Sequence, residues 1–331
     1  MGKGTNFSGQ PVLSQLIKLM DRQKINTLAS RTGSNRYVKH LDGYSHLVVM
    51  LYAVLCNLRS LREVCLGFEA NATRMNHFGL DHMICRSTLS DANKRRSSSF
   101  FGSIYRMLLR KYASVLSDSR TKHETATRIF IMDSTTITLF SEILKGAGRN
   151  SENGRKKGGI KAHTIIQEDI DLPIFVDFTA AAKSDHELIK RSTDDGKDTV
   201  TFITNVLDQD EMSAEQICET YRRRWAIECL FKKLKQNFPL KYFLGDNVNA
   251  IEVQIWVTMI AYLLLRVMQH KAKCKLAFSN IVTLARLTIG NYVNFVTLLN
   301  CPKQAWADRL QYWNSLETAQ NTVQLEFRFS P

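Results

Sequence analysis

The segment YRRRWAIECLFKKLK, residues 221–235, sets one carboxylate, Glu228, among six cations. At about 100° per residue, Tyr221, Arg224, Glu228 and Lys235 fall within an arc of about 60° on a helix. Ile227, Leu230, Phe231 and Leu234 form a separate apolar stripe that can bury on a sheet. A helix held down by that stripe presents Glu228 beside the sheet with donors around it. A second carboxylate, Asp133, follows four apolar residues, Ile129 to Met132. A charge in such a place must be paired, hydrogen-bonded or on a metal, because an isolated buried charge is costly. The plainer reading is that Asp133 ends a strand and caps a turn through Ser134 or Thr135. The chemistry that the whole set suits is that of a phosphodiester. Carboxylates hold hard divalent ions, two such ions activate an attacking oxygen and stabilise a leaving one, and Arg, Lys and Tyr grip the flanking phosphates.

These groups need a scaffold, and its elements are legible in the pattern. TRIFIMDSTTITLF (127–140) is β-branched and aromatic, as expected of a strand buried on both faces. A Gly- and Lys-rich loop follows, in which Lys156 and Lys157, with Lys161 just beyond, are candidate DNA contacts or plain solvated charge. IKAHTIIQEDI (160–170) and LPIFVDFTAAA (172–182) read as two strands joined by a short turn, an antiparallel ladder. SDHELIKR (184–191) reads as a helix, TVTFITN (199–205) as a strand, and Ser213 as the cap of the helix that carries Glu228. His163 and His186 are expected to hydrogen-bond rather than bind metal, and Trp225 and Trp256 to sit in the core. From Pro11 to about Leu116 the periodicity is helical. Within that region RSTLSDANKRR (86–96) reads as a helix capped by Ser87 or Ser90, with Lys94, Arg95 and Arg96 as cations for phosphate.

The net charge of +14 favours a polyanionic partner. Residues 1–120 hold 18 Lys/Arg against 7 Asp/Glu, 121–212 hold 12 against 16, and 213–331 hold 15 against 8. A slightly acidic middle thus lies between two basic flanks. The seven cysteines form no CxxC pair, so neither a zinc site nor a disulfide framework is suggested, and a reducing cytoplasm is expected. The N-terminus lacks a signal-peptide pattern. The most apolar stretch, 253–265, is shorter than the ~20 residues a membrane helix needs, so a core helix and no membrane partner are expected.

The spacing Tyr221-x2-Arg224-x3-Glu228-x6-Lys235 resembles the YREK signature of the insertion-sequence family 4 transposases, within the DDE transposase group. The surroundings FITN, RRRWAIECLFKKLKQNF, IFIMDSTTI, GRKKGGIKAHT and KSDHEL are similar too. The helical region, with SLREV and RSTLSDANKRR, looks like the domain of uncharacterised function that precedes this core in the family. The resemblance implies an α/β RNase H-like, retroviral integrase-like catalytic domain behind an all-α N-terminal domain. The expected segments are 8–120 (helical, DNA-binding type), 121–270 (catalytic) and 271–331 (a partly helical tail). It implies Asp133 and Glu228 as catalytic metal ligands for Mg2+ or Mn2+, and Tyr221, Arg224 and Lys235 as DNA contacts. The implied partners are double-stranded DNA, as terminal inverted repeats and target, and a second copy in a synaptic homodimer in a prokaryotic, nucleoid-associated setting. The implied reaction nicks DNA at the element's end, passes through a hairpin and transfers the strand.

One part of the family pattern is missing. A second Asp, on a fourth strand, is expected after the SDHELIKR helix, yet HELIKRSTDDGKDTVTFITN (186–205) runs straight into the next strand. An internal deletion explains this, and Asp194 and Asp195 in the polar turn are weak candidates to replace the lost acid. Two readings stay open: an active transposase whose site another acid completes, and a non-catalytic derivative that only binds DNA.

Overall fold

A computed structural model of the chain describes residues 9–116, 130–138, 159–167, 172–180, scattered positions in 213–222, 225–303 and scattered positions in 307–315. The helix expected at 184–191, the strand at 199–205, and Tyr221, Arg224, His186, Lys156, Lys157, Asp194 and Asp195 lie outside them. The helices are α1 (Val12–Ile17), α2 (Arg22–Arg31), α3 (Gly43–Leu55), α4 (Leu61–Ala70), a 3-10 turn (Ala72–Phe78), α5 (Arg86–Arg95) and α6 (Ser98–Leu116). Then come β1 (Phe130–Thr138), β2 (Gly159–Gln167) and β3 (Pro173–Ala180). The described chain continues through α7 (Trp225–Asn237), α8 (Val248–Lys271), α9 (Phe278–Thr288) and α10 (Phe295–Asn300).

The chain divides into two compact units, one of residues 1–116 with 253–331 and one of residues 117–252. By compactness the described residues after 253 group with the N-terminal helices, where the expected segments put 253–270 with the catalytic domain. The reason is visible at α1, whose first amides have no partner inside so short a helix. Val12 and Leu13 donate instead to the carbonyls of Asn291 and Ile289, at 3.2 and 2.9 Å. Gln15 Nε2 donates to Val293 O at 2.6 Å, and Phe295 N donates back to Gln15 Oε1 at 3.0 Å. Arg286 of α9 ties to Leu55 O at 3.0 Å.

In the helical unit α3 is apolar all round and therefore central: Leu47, Val48, Val49, Met50 and Leu51 are fully buried. Side-chain caps start four of the unit's described helices, with Asp21 accepting from Lys24 N, Asp42 from Ser45 N, Ser60 from Glu63 N and Asn294 from Thr297 N. The 24-residue α8 is long and apolar enough to cross a membrane by length and composition, more than the 253–265 run suggests. Its apolar side chains are spent on the unit's own core, Ile255, Val257, Ile260 and Leu263 being wholly buried. Trp256 is core as expected and packs over Gly102 of α6, where a Cβ would come within 2.9 Å of the indole.

One polar cluster is sealed in this core. His46 of α3 is completely buried, its Nε2 is 2.8 Å from Asn93 Oδ1 on α5, and its Nδ1 has no hydrogen-bond partner. Burial, then the nearby Arg96 charge, push its pKa down to about 3, against a smaller upward effect of the Asn93 bond.

In the other unit the three strands form one antiparallel sheet in the order β1-β2-β3, as the hairpin pattern predicts. Side chains alternate across a strand. Positions 133, 135 and 137 of β1, 164, 162 and 160 of β2, and 176 of β3 therefore share one face. Ile137, Ile160, Ala162, Thr164 and Val176 on that face are buried.

Candidate active site

Asp133 is the fourth residue of the nine in β1 and pairs with Thr164 on the central strand. The expected turn is not there. Ser134 pairs with His163 and Thr135 with Ala162, so the ladder runs on to Thr138 and a capping role for Asp133 is excluded. β-branched threonines suit a strand even where they are polar, which is why the element continues past the apolar run. Position 133 thus sits in mid-ladder on the buried face. Directly across the ladder, the Thr164 hydroxyl is buried without a hydrogen-bond partner. An orphaned buried oxygen of this kind calls for a reason.

Upstream of α7, Ser213 makes the cap expected of it. Ser213 Oγ accepts from Gln216 N at 3.3 Å while Gln216 Oε1 accepts from Ser213 N at 2.8 Å, a reciprocal capping box. In α7 the stripe Ile227, Leu230, Phe231 and Leu234 is buried, each at 4% exposure or less, and the helix packs on β1. Glu228 is half-buried in its first turn. Lys235 makes the tie to the strand: its ammonium donates to Thr136 O at 2.9 Å and to Thr135 Oγ1 at 3.3 Å. Burial pushes its pKa down. Lys235 therefore has a structural partner on β1 in addition to the phosphate role expected of it.

Seven residues are close to two helical turns, so Glu228 and Lys235 share a side of α7 about 10 Å apart along its axis. Thr135 is two positions, about 7 Å, from Asp133 on the same face of β1. The structure thus brings the helix side that carries Glu228 onto the strand that carries Asp133. Among the described residues no group of three or more His, Cys, Asp or Glu assembles into a metal site. Carboxylate and hydroxyl oxygens, the groups that residues 133, 164 and 228 carry, are hard donors of the type Mg2+ and Mn2+ take.

Several expected residues fall elsewhere. Trp225 is 62% exposed and not core. On the helical wheel it lies opposite the apolar stripe and about 60° from Glu228, a signal the sequence already contained. Lys161 lies in β2 rather than in the loop and is buried, on the face away from position 133, so it is no solvated DNA contact. His163 hydrogen-bonds Thr179 Oγ1 at 2.8 Å, the role expected of it.

In the helical unit, α5 starts at Arg86 with Cys85 as an N-cap that makes no side-chain bond, so neither Ser87 nor Ser90 caps it. Lys94 and Arg95 occupy its last turn, where cations complement the helix dipole, so they do not sit at a helix N-terminus as the sequence suggested. Arg96 is the C-cap and is buried at 5% exposure. It donates to Leu41 O at 2.8 Å and Ser34 O at 3.1 Å, which corrects its expected role as a DNA contact to that of an internal brace.

Comparison with known proteins bears on both regions. Residues 8–81 match a domain of unknown function, DUF4372, and residues 124–207 and 203–264 match the transposase DDE domain. Proteins named as transposases are similar over short stretches. They include y4zB of Sinorhizobium fredii, 43% identical over 70 residues (21% of this chain, 19% of that protein). The one named for insertion sequence element IS4SA of Synechocystis sp. is 44% identical over 57 residues, 17% of each chain. The one named for element IS5377 of Geobacillus stearothermophilus is 32% identical over 88 residues, 27% of this chain and 22% of that protein. The alignments span about a fifth of the length of these relatives. No solved structure matches the chain. The strand that holds Asp133 and the helix that holds Glu228 and Lys235 therefore lie in the part of the chain that matches the transposase DDE domain, a domain that implies an RNase H-like fold, and the N-terminal helices in the part that matches DUF4372.

Proposed function

We propose that the chain is an insertion-sequence transposase of the YREK subgroup whose catalytic domain has lost, by internal deletion, the strand bearing its second Asp. It binds the ends of an element as double-stranded DNA, and its strand cleavage is impaired. The observation that carries this reading is the mid-ladder position of Asp133 opposite the orphaned Thr164 hydroxyl, on the strand to which Lys235 ties the Glu228 helix. Support for the deletion comes from the sequence between 186 and 205, which holds no apolar strand ending in Asp, and from the family match falling into two pieces that meet at 203–207.

Asp133 and Glu228 would hold a divalent ion, Mg2+ or Mn2+, with Thr164 beside them. When bound, such ions activate an attacking oxygen and stabilise a leaving one. The chain's own groups do the rest. Tyr221, Arg224 and the exposed cations Lys232 and Lys233 of α7 hold the flanking phosphates. Exposed Trp225 offers a flat apolar surface beside them. In the nick, a water oxygen bonds to phosphorus and gives up a proton, the P–O3′ bond breaks, and the leaving 3′ oxygen takes up a proton to become a free hydroxyl. Two protein acids can hold one ion whose shell water and substrate phosphate complete, but without the third acid the placement of a pair of ions is compromised, which lowers the rate and leaves phosphate binding standing. A synaptic homodimer belongs to the same proposal.

A labelled terminal inverted repeat tests it. The purified chain is expected to shift the repeat in a gel, with log affinity falling linearly in log salt. With Mg2+ or Mn2+ it should nick the repeat far more slowly than a full-length relative, and Glu228→Gln should remove what nicking there is. Nicking as fast as that of the relative would show that another acid completes the site and would overturn the impaired reading.

A further inference from the structure

We propose that the loop between α2 and α3, with the C-terminal end of α5, is the surface by which the helical unit grips the phosphate backbone of duplex DNA; this rests on reading the chain as a DNA-acting protein. The loop is built and braced. Gly33 and Tyr37 both take left-handed φ, 66° and 60°. Arg36 N donates to Gly33 O at 3.0 Å and Val38 N to Asn35 O at 3.3 Å, and Asn35 Oδ1 accepts from Gly43 N at 2.7 Å. From inside, the buried Arg96 guanidinium holds both ends, Ser34 O and Leu41 O, and so fixes the loop to the end of α5.

That brace explains an arrangement otherwise without purpose. The loop's one acid, Asp42, is taken up in capping α3, and Arg31, Arg36 and Lys39 are exposed, next to exposed Lys94 and Arg95 on the braced helix end. Tyr37 is 86% exposed although its bulky side chain sits on a backbone conformation that favours glycine. The Arg36 guanidinium lies over its ring, 5.0 Å from the centroid, and donates to its hydroxyl at 3.1 Å. Strain that holds an aromatic and a cation out into solvent points to recognition. Clustered cations on a rigid frame, Arg with its planar fork, and a tyrosine hydroxyl are the groups that contact nucleic-acid phosphates. Duplex DNA is the partner because the same chain carries a transposase DDE domain.

The test measures binding of the full chain to a duplex of its terminal repeat across a salt series, for wild type, the variant Arg36→Gln/Lys39→Gln and, separately, Tyr37→Gly. Each phosphate contact contributes about 0.9 to the salt slope. The double variant should therefore lower the slope by about 2 and the affinity by about tenfold or more, with unchanged melting temperature. Tyr37→Gly relieves the strained φ, so it should melt no earlier than wild type while binding more weakly. Wild-type slope and affinity in both variants would overturn the proposal and leave the transposase reading intact. Absence of duplex binding by wild type would overturn both. Equal binding of wild type to vesicles of acidic phospholipid, lost in the double variant, would overturn the assignment to DNA.

Discussion

Phe231→Ala is expected to loosen α7 from the sheet and, with it, to dissolve the candidate site. The ring is 1% exposed at the middle of the apolar stripe, between Ile227 and Leu234, on a helix whose polar side carries Glu228 and Lys235. Removing a buried phenyl ring costs about 3–5 kcal/mol. That is a large share of the few kcal/mol by which a domain of this size is stable. Hydrogen exchange is the measurement of choice. Amides of α7 and β1 should lose protection together, because the helix and strand are packed on one another and pinned by Lys235 to Thr136 O. Lys232→Ala, an exposed change one position further on the same helix, should stay within about 0.5 kcal/mol of wild type. Unchanged protection in Phe231→Ala would mean that the stripe does not hold the helix to the strand.

Acid is expected to destabilise the helical unit through His46. Its folded pKa lies near 3, below the ordinary 6.5. The unfolded chain therefore binds a proton that the folded chain refuses between those values. The resulting stability is fully present above pH 6.5 and is lost as pH falls towards 3, at on the order of 1.4 kcal/mol per pH unit. No compensating carboxylate faces the ring among the neighbours that set its pKa: Arg96 opposes the proton and Asn93 only partly favours it. Circular-dichroism melts from pH 7 to pH 4 should show the helical transition falling steeply in wild type. His46→Gln keeps an amide for Asn93 and cannot titrate, so its melting temperature should depend much less on pH. Parallel pH profiles of the two proteins would contradict the assignment.

Much of this was open to reading from the chain, and the exceptions have physical causes. Alternation in 172–180 and the β-branched runs at 130–138 and 159–167 yielded three strands in an antiparallel ladder, and the Ser213 cap was visible by its spacing to Gln216. Local pattern misjudged where an element ends. Ser134 to Thr138 are polar apart from Ile137 but β-branched in the main, so β1 runs past Asp133, and α5 begins before the serines that seemed to cap it. Pattern also cannot see partners far along the chain. Arg96 is buried because its acceptors lie 55 and 62 residues away, and residues beyond 253 join the N-terminal helices through bonds spanning up to 280 positions. Trp225 was misjudged for want of a helical wheel rather than for want of information. The orphaned Thr164 hydroxyl could not be foreseen at all, since only the register of β1 on β2 sets it opposite Asp133.

The central claim is that the carboxylates of Asp133 and Glu228 serve one cation site. The direct measurement is a Mn2+ titration followed by the electron paramagnetic resonance signal of free ion, on wild type, Asp133→Asn, Glu228→Gln and the double variant. Residues that share a ligand site couple strongly, while independent sites give additive losses. The account predicts that each single change removes the same class of bound Mn2+ and that the double change removes no more. Mn2+ binding in Glu228→Gln equal to that of wild type, or losses that simply add in the double variant, would contradict it.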